Sequence, residues 1–281
     1  MTTTDNPAAR ARRTPLVRAF AALGLSAALI GLQATPGSAA ATPKAGVQYV
    51  AIAHPVAASP REVVEVFWYD CPHSYQLAQP LRDWAARQNP PVTIRHIPAA
   101  WADQPEEMAY AHVYYTLDRL GLEDSLEQDV FHAVRDEHQD LTTLDSLSAW
   151  AEGEGVDPVQ LAAAWNSPVV LKETQDAPAL RERYDVHEMP SVVVGGEYRT
   201  SPFMGGDGVS GTVPVVDFLL QHSTAQAKAA ADAKAAAQAK AKAAAKAKAK
   251  AAAKAKAHAK AHHKAPAKAP AKRHHRATAH R

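Results

Sequence analysis

The chain has 281 residues and a formal net charge of +2, from 31 Lys and Arg against 29 Asp and Glu. It contains 1 cysteine, which excludes an intramolecular disulfide and so a fold held together by disulfides. Between two compositionally distinct termini there is enough chain for one domain with a hydrophobic core.

The N-terminus has the pattern of a secretory signal peptide. A basic segment containing Arg12 and Arg13 precedes the apolar stretch from Ala19 to Leu32, and small residues follow at 37–41. The apolar stretch is shorter than a membrane-spanning helix requires. We therefore expect residues 1–41 to be a cleaved signal peptide, the mature chain to lack a transmembrane span, and the protein to reside in the periplasm.

The segment from Val63 to Tyr75 places the cysteine at the junction of two elements. Residues 63–69 are β-branched or aromatic apart from Glu65, a pattern typical of a strand that is buried on both faces. Pro72 follows Cys71 directly and suits the first turn of a helix. The sequence therefore predicts a strand, a sharp turn and a helix with the thiol at its N-terminus.

That position predicts a reactive cysteine. Unpaired backbone N–H groups and the helix dipole stabilise negative charge at a helix N-terminus. We expect Cys71 to favour the thiolate, the nucleophilic form of the group. The imidazole of His73, two residues further on, would add positive charge when protonated. The alternative is an inert, buried structural cysteine.

The other predicted elements alternate between strands and helices. Four histidines in this region lack metal-ligand spacing, so we expect surface or core residues and no metal site; they are His96, His112, His132 and His138. The predicted strands are Tyr49–Ile52, Val92–Ile97, Met189–Val194 and Glu197–Thr200. The predicted helices are Pro105–Leu120, Leu126–Val134, Asp157–Trp165, Thr174–Tyr184 and a closing helix at Val213–Gln221.

From residue 223 to Arg281 the composition changes to alanine and lysine, with late histidine and proline. This tail carries sixteen Lys and Arg against Asp232 alone, whereas residues 45–221 carry ten Lys and Arg against twenty-seven Asp and Glu. The near-neutral total thus combines an acidic body of −17 with a basic tail of +15.

The tail has no large apolar residue to bury, so it cannot form a packed domain. We expect a disordered or partly helical chain that becomes extended at Pro266 and Pro270. Its charge predicts binding to polyanions of the envelope, such as lipopolysaccharide or nucleic acid outside the cell. The alternative is a solvated extension that folds back loosely on its own acidic domain.

A strand that leads into Cys71-Pro72-His73-Ser74 and a helix resembles the DsbA branch of the thioredoxin-like thiol–disulfide oxidoreductases. The resemblance extends over about residues 49–221. It implies an α/β, thioredoxin-like fold for residues 45–222, with a helical insertion domain at about residues 103–185.

Two further positions carry the resemblance. Glu65, six residues before the cysteine, matches the family's buried acidic residue, and Met189-Pro190 matches its cis-proline loop. The resemblance implies that Glu65 relays protons beneath the cysteine and that the Met189 backbone pairs with an extended substrate. From the residues alone, Glu65 could equally reach a wet edge of the sheet, and the bond before Pro190 would be trans.

Ser74 stands where the family has a second cysteine. The monomer therefore cannot form the internal disulfide that the family's dithiol cycle requires. It can still react as a monothiol, through mixed disulfides. Ser74 could hydrogen-bond the Cys71 thiolate but cannot resolve a mixed disulfide. We expect an exported thiol–disulfide interchange protein that acts on cysteines of substrate proteins and has no cofactor. Its mixed disulfide would be resolved by a substrate thiol, a small thiol or a redox partner protein. The alternative is a redox-inactive module that holds extended polypeptides as a chaperone and is tethered by the basic tail.

Overall fold

A computed structural model describes residues 41–262 of the protein. The strands are β1 (Val50–Ala51), β2 (Val63–Phe67), β3 (Ile94–Pro98), β4 (Ser191–Val194) and β5 (Tyr198–Thr200). The helices are α1 (Pro72–Arg87), α2 (Pro105–Arg119), α3 (Glu123–Arg135), α4 (Leu144–Gly153), α5 (Pro158–Trp165), α6 (Pro168–Arg183) and α7 (Gly208–His262).

The strands form one mixed sheet in the order β1-β5-β4-β2-β3. β2 pairs in parallel with β3 and antiparallel with β4, and all of its residues are buried. The predicted central strand is confirmed. The turn between β4 and β5 needs glycine, because a Cβ on Gly196, at φ 66°, would lie 2.0 Å from the carbonyl oxygen of Val56.

Apolar side chains of β2 reach three separate cores. Val63 packs with apolar residues of α1 and α7, whereas Val64 and Val66 pack with Tyr184 and Val186 beyond the end of α6. Phe67 packs in the core formed mainly by α2 to α6. These five helices follow β3 and precede β4 in the chain. The predicted α/β fold with helices inserted into the sheet region is thus confirmed.

Two helices of the insertion differ most from the sequence expectation. α4 was not predicted, because its stability comes from a capping box between Thr143 and Ser146 rather than from a long apolar stripe. α6 begins at Pro168 instead of Thr174, since the Ser167 side chain caps the helix by accepting from the Val170 N–H.

The predicted closing helix is much longer than expected. α7 runs for 55 residues through the first part of the basic tail, because alanine and lysine favour helix and the sequence from 215 to 262 lacks glycine and proline. The partly helical tail is confirmed for these residues, while Pro266, Pro270 and the predicted signal peptide up to residue 40 lie outside the described residues. Side chains at 228–258 are exposed, so this part of the tail does not fold back on the domain.

None of the helices between residues 41 and 262 is both long enough and apolar enough to cross a membrane.

Candidate active site

Cys71 is the N-cap residue of α1, and Pro72 occupies the first turn. The Cys71 N–H donates to the carbonyl oxygen of Trp68 at 3.0 Å, and the Cys71 carbonyl accepts from the Tyr75 N–H at 3.1 Å. Residue Cys71 is 7% exposed. The predicted location at a helix N-terminus is therefore confirmed, and a thiolate here would face the positive end of the helix dipole.

The loop before β4 lies against the thiol. Cys71 Sγ donates to the carbonyl oxygen of Met189 at 3.5 Å. The Met189–Pro190 peptide bond is cis, as the resemblance implied. Met189 is half-buried and Pro190 is buried. The structure therefore joins the two site segments that the sequence keeps far apart.

His73 lies beside an exposed aromatic side chain. Its ring packs edge-on against Phe203, with the centroids 4.9 Å apart, and Phe203 is 52% exposed although it is a large apolar residue. Phe203 belongs to the loop between β5 and α7, which the sequence reading did not include in the site. An exposed apolar ring thus adjoins the Cys71 segment.

Ser74 is fully buried, at 0% exposure. Its hydroxyl oxygen accepts a hydrogen bond from the Trp68 N–H at 3.3 Å. The hydroxyl thus fixes the turn between β2 and α1. A hydrogen bond from Ser74 to Cys71, which the sequence reading considered, is not among the contacts of the described residues.

The inserted helices hold the segment around the thiol. Arg135 of α3 donates to the Asp70 carbonyl oxygen at 2.9 Å and also pairs with the Asp70 carboxylate. Tyr75 donates its hydroxyl to Asp136 Oδ2 at 2.8 Å. The residues on both sides of Cys71-Pro72-His73-Ser74 are therefore anchored to α3.

Beneath this surface Glu65 belongs to a buried cluster of charged side chains. Glu65 is 1% exposed, and its Oε2 lies 3.6 Å from Nε2 of His96, the residue opposite it in β3. The same nitrogen lies 3.5 Å from Glu127 Oε1, while His96 Nδ1 is 2.8 Å from Glu123 Oε1. Arg82 of α1 pairs with Glu127 at 2.5 Å. The expected burial of Glu65 is confirmed.

Comparison with known proteins agrees with this arrangement. The family model described as "DSBA-like thioredoxin domain" matches residues 62–215. The chain belongs to the DsbA-like thioredoxin-domain family. It is thereby a relative of thiol–disulfide oxidoreductases, and it departs from the family's two-cysteine pattern by having 1 cysteine.

Individual DsbA proteins resemble this chain over most of their own length. The thiol:disulfide interchange protein DsbA of Pseudomonas aeruginosa is 30% identical over 187 residues, which cover 66% of this chain and 87% of the relative. DsbA of Bordetella pertussis is 31% identical over 213 residues, covering 75% and 98%. The crystal structure of Pseudomonas aeruginosa DsbA superposes with a TM-score of 0.60 at 30% identity, covering 66% of this chain and 97% of that one.

Burial and neighbouring charges together raise the pKa values of Glu65 and His96 in this DsbA-like domain. Loss of hydration raises the pKa of Glu65 to about 8, against the opposing attraction of His96. Burial alone would lower the pKa of His96, but the hydrogen bond to Glu123 and the nearby carboxylates outweigh it and raise the pKa to about 9. At neutral pH, Glu65 is therefore protonated and His96 is a cation that compensates the carboxylates of α3.

The cluster also has donor atoms of the kinds that bind metals. One donor atom from each of Glu65, His96 and Glu127 lies within 4.8 Å of the others. The His96 imidazolium and the Arg82 guanidinium already lie beside Glu127, and Glu65 holds its proton at neutral pH, so the protein's own groups account for the cluster.

The sequence reading assigned His96 to the surface or core and missed its partners. Alignment of the two apolar runs as parallel strands would have placed His96 beside Glu65, because residues paired in register share a face of the sheet. Glu123 and Glu127 are spaced one helical turn apart, which signals a common face. This spacing does not predict which elements pack against that face, because their packing depends on the tertiary structure.

Proposed function

We propose that this protein exchanges disulfides through a mixed disulfide at Cys71. The observation that carries the proposal is the location of the thiol at the α1 N-terminus, 3.5 Å from the Met189 carbonyl oxygen. The Cys71 thiolate attacks one sulfur of a substrate disulfide, and a new S–S bond forms as the old one breaks. The other substrate sulfur leaves as a thiolate and takes up a proton.

The second step needs a thiol from outside the chain. Ser74 has no sulfur, so a thiol of the substrate, a small thiol such as glutathione or a redox partner protein attacks the mixed disulfide. When a substrate thiol attacks, the number of disulfides is unchanged and the reaction is an isomerisation. When an external thiol attacks the Cys71 sulfur, the substrate leaves as a dithiol and Cys71 remains in a mixed disulfide with the external thiol. A second external thiol then releases Cys71, so that the substrate disulfide is reduced and the two external thiols are joined in a disulfide.

Met189 binds substrate in this proposal. Its carbonyl oxygen accepts the Cys71 thiol hydrogen bond in the free protein. Loss of the thiol proton leaves this oxygen available to accept an N–H from an extended polypeptide. The same backbone would then align the substrate disulfide with the sulfur, and Pro190 would hold the loop in place.

Glu65 serves as a proton relay in this proposal. A carboxyl group with a pKa of about 8 can both give and take a proton near neutral pH. The group lies on β2, the strand that leads directly to the Cys71 turn. His96 and the α3 carboxylates would pass the proton towards solvent.

We also propose that the protein acts in the periplasm, after removal of residues 1–41 as a signal peptide. Its substrates there would be exported proteins with cysteines or disulfides. The basic tail would tether residues 45–222 to polyanions of the envelope, since it extends from the domain as an exposed cationic helix.

One observation favours a second function. Cys71 is only 7% exposed, while Phe203, which packs against His73, is 52% exposed. A surface of this kind suits a redox-inactive module that binds unfolded polypeptides. That module would suppress aggregation equally well without its thiol.

Refolding of scrambled ribonuclease with a catalytic amount of reduced glutathione separates the two functions. We expect the wild-type chain to accelerate recovery of ribonuclease activity and Cys71→Ala to leave it at the uncatalysed rate. As a matched control, Cys71→Ala is compared with the wild type in an aggregation assay. The exchange proposal expects the thiol to have no role there, so the two chains should behave alike. Full isomerase activity in Cys71→Ala would overturn the catalytic claim.

A further inference from the structure

Beyond the acidic domain, α7 continues as a rod whose side chains at residues 228–258 are exposed. We call residues 228–262 the cationic arm. At the helical rise of 1.5 Å per residue the arm is about 50 Å long. Its ten lysines face a single acidic residue, Asp232, which pairs with Lys228 at 2.7 Å. The arm therefore carries a large positive charge with almost no internal compensation.

The lysines cover every side of the arm. They are Lys228, Lys234, Lys240, Lys242, Lys246, Lys248, Lys250, Lys254, Lys256 and Lys260. At about 100° per residue, no arc wider than roughly 80° lacks a lysine. A flat acidic surface can contact only one side of such a rod, so most of the charge would face solvent.

Composition and geometry exclude insertion into a lipid surface and contact with the chain's own domain. The arm has no large apolar side chain, and an amphipathic helix needs an apolar face to enter a lipid surface. The arm does not fold back on the domain of the same chain, because residues 215–262 contain no glycine or proline at which the helix could turn. A partner that neutralises the lysines on every side must therefore surround the rod.

The charges also repel one another along the helix. Lys242, Lys246, Lys250 and Lys254 follow each other at four-residue spacing, and like charges at this spacing destabilise a helix. A bound polyanion removes this repulsion. Binding and helix stability are therefore linked, and a ligand of the helical arm raises its melting temperature.

We propose that the cationic arm is wrapped by a flexible, linear anionic polysaccharide. This deepens the proposed tethering function and rests on the proposed export of the protein, which places the arm among envelope polymers. Double-stranded DNA is too stiff to wrap a rod of this length, since its persistence length is about 50 nm. The acidic domain repels the same polymer and is held away from it, so the Cys71 surface stays free for substrates.

The test uses the full mature chain with heparin as the flexible polysaccharide and a 20-base-pair DNA duplex as the stiff polyanion. Two triple variants remove equal charge from opposite sides: Lys246→Gln with Lys250→Gln and Lys254→Gln, and Lys234→Gln with Lys248→Gln and Lys256→Gln. Affinity is measured by calorimetry at several salt concentrations, and helix melting by circular dichroism. Isomerase activity is followed in parallel, because it reports on the domain alone.

We expect heparin to bind more tightly than the duplex, to raise the melting temperature of the arm, and to lose at least tenfold in affinity in each triple variant. A triple variant that binds heparin like the wild type would show one-sided contact and overturn wrapping. Equal or tighter binding of the duplex would overturn the choice of polymer. Absence of heparin binding with intact isomerase activity would overturn the tether and the inference together but leave the exchange function standing.

Discussion

Cys71 Sγ and the Met189 carbonyl oxygen lie 3.5 Å apart although the two residues are separated by 118 positions in the chain. The thiol at the start of α1 and the loop that leads into β4 therefore form one surface. A disulfide attacked at Cys71 and a polypeptide held at Met189 can belong to the same substrate. In the proposed exchange reaction, this juxtaposition would let the single sulfur act on a bound substrate without a second cysteine nearby.

Ser74→Cys should turn the monothiol site into a dithiol site. Position 74 is at the third residue of α1, close enough to the N-cap sulfur for a disulfide to form without a long loop. We expect intact-mass measurement to show loss of two hydrogens on oxidation and a gain of net oxidase activity. The reduced variant should lose about 1 kcal/mol of stability, since the Trp68 N–H loses its hydroxyl acceptor. Glutathione adducts at Cys71 that never convert to an internal disulfide would contradict this prediction.

His96→Leu should destabilise the fold by about 3 kcal/mol, because it leaves Glu123 and Glu127 buried with one cation fewer. Urea unfolding at pH 7 measures this effect. His54→Leu is the matched control, since His54 is exposed and should change stability by less than about 0.5 kcal/mol. Equal effects in the two variants would show that His96 does not compensate the cluster.

Stability should fall as pH rises above neutrality. The pKa of Glu65 is raised from 4.5 to about 8 and that of His96 from 6.5 to about 9. In both cases the folded state holds the proton that the unfolded chain has released, so each contribution is lost as pH rises through the folded pKa. We expect the unfolding free energy to decrease between pH 7 and 9, and Glu65→Gln to make this decrease shallower. A wild-type stability that is flat or rising over this interval would refute the assignment.

Phe203→Ala should weaken substrate binding rather than chemistry. Half of the Phe203 side chain is exposed beside His73, so its removal costs apolar contact with a bound polypeptide but little packing in the fold. We expect KM for scrambled ribonuclease to rise several-fold with kcat unchanged, which marks the loss of uniform binding. Val159→Ala, at a 76% exposed position of α5, should leave both constants unchanged. A lower kcat in Phe203→Ala would instead place the ring in the chemical step.

The local features of the site could be predicted from the sequence, whereas its buried support could not. The apolar run before Cys71 and Pro72 after it determine the strand, the turn and the helix through short-range rules. The contacts of Glu65 depend on strand register and on where α3 docks, which is decided by packing of the whole domain.

The remaining differences have local causes. The apolar pattern does not predict α4, because this helix has a capping box in place of a strong apolar stripe. The length of α7 was underestimated because an absence of large apolar residues excludes a core but does not end a helix.

The most direct test of the central claim is intact-mass spectrometry of the mature chain during reaction with oxidised glutathione. The account predicts one glutathione adduct on the wild-type chain, its complete removal by an excess of reduced glutathione, and no adduct on Cys71→Ala. An unmodified wild-type chain, under conditions in which a model thiol peptide is glutathionylated, would contradict a nucleophilic role for Cys71.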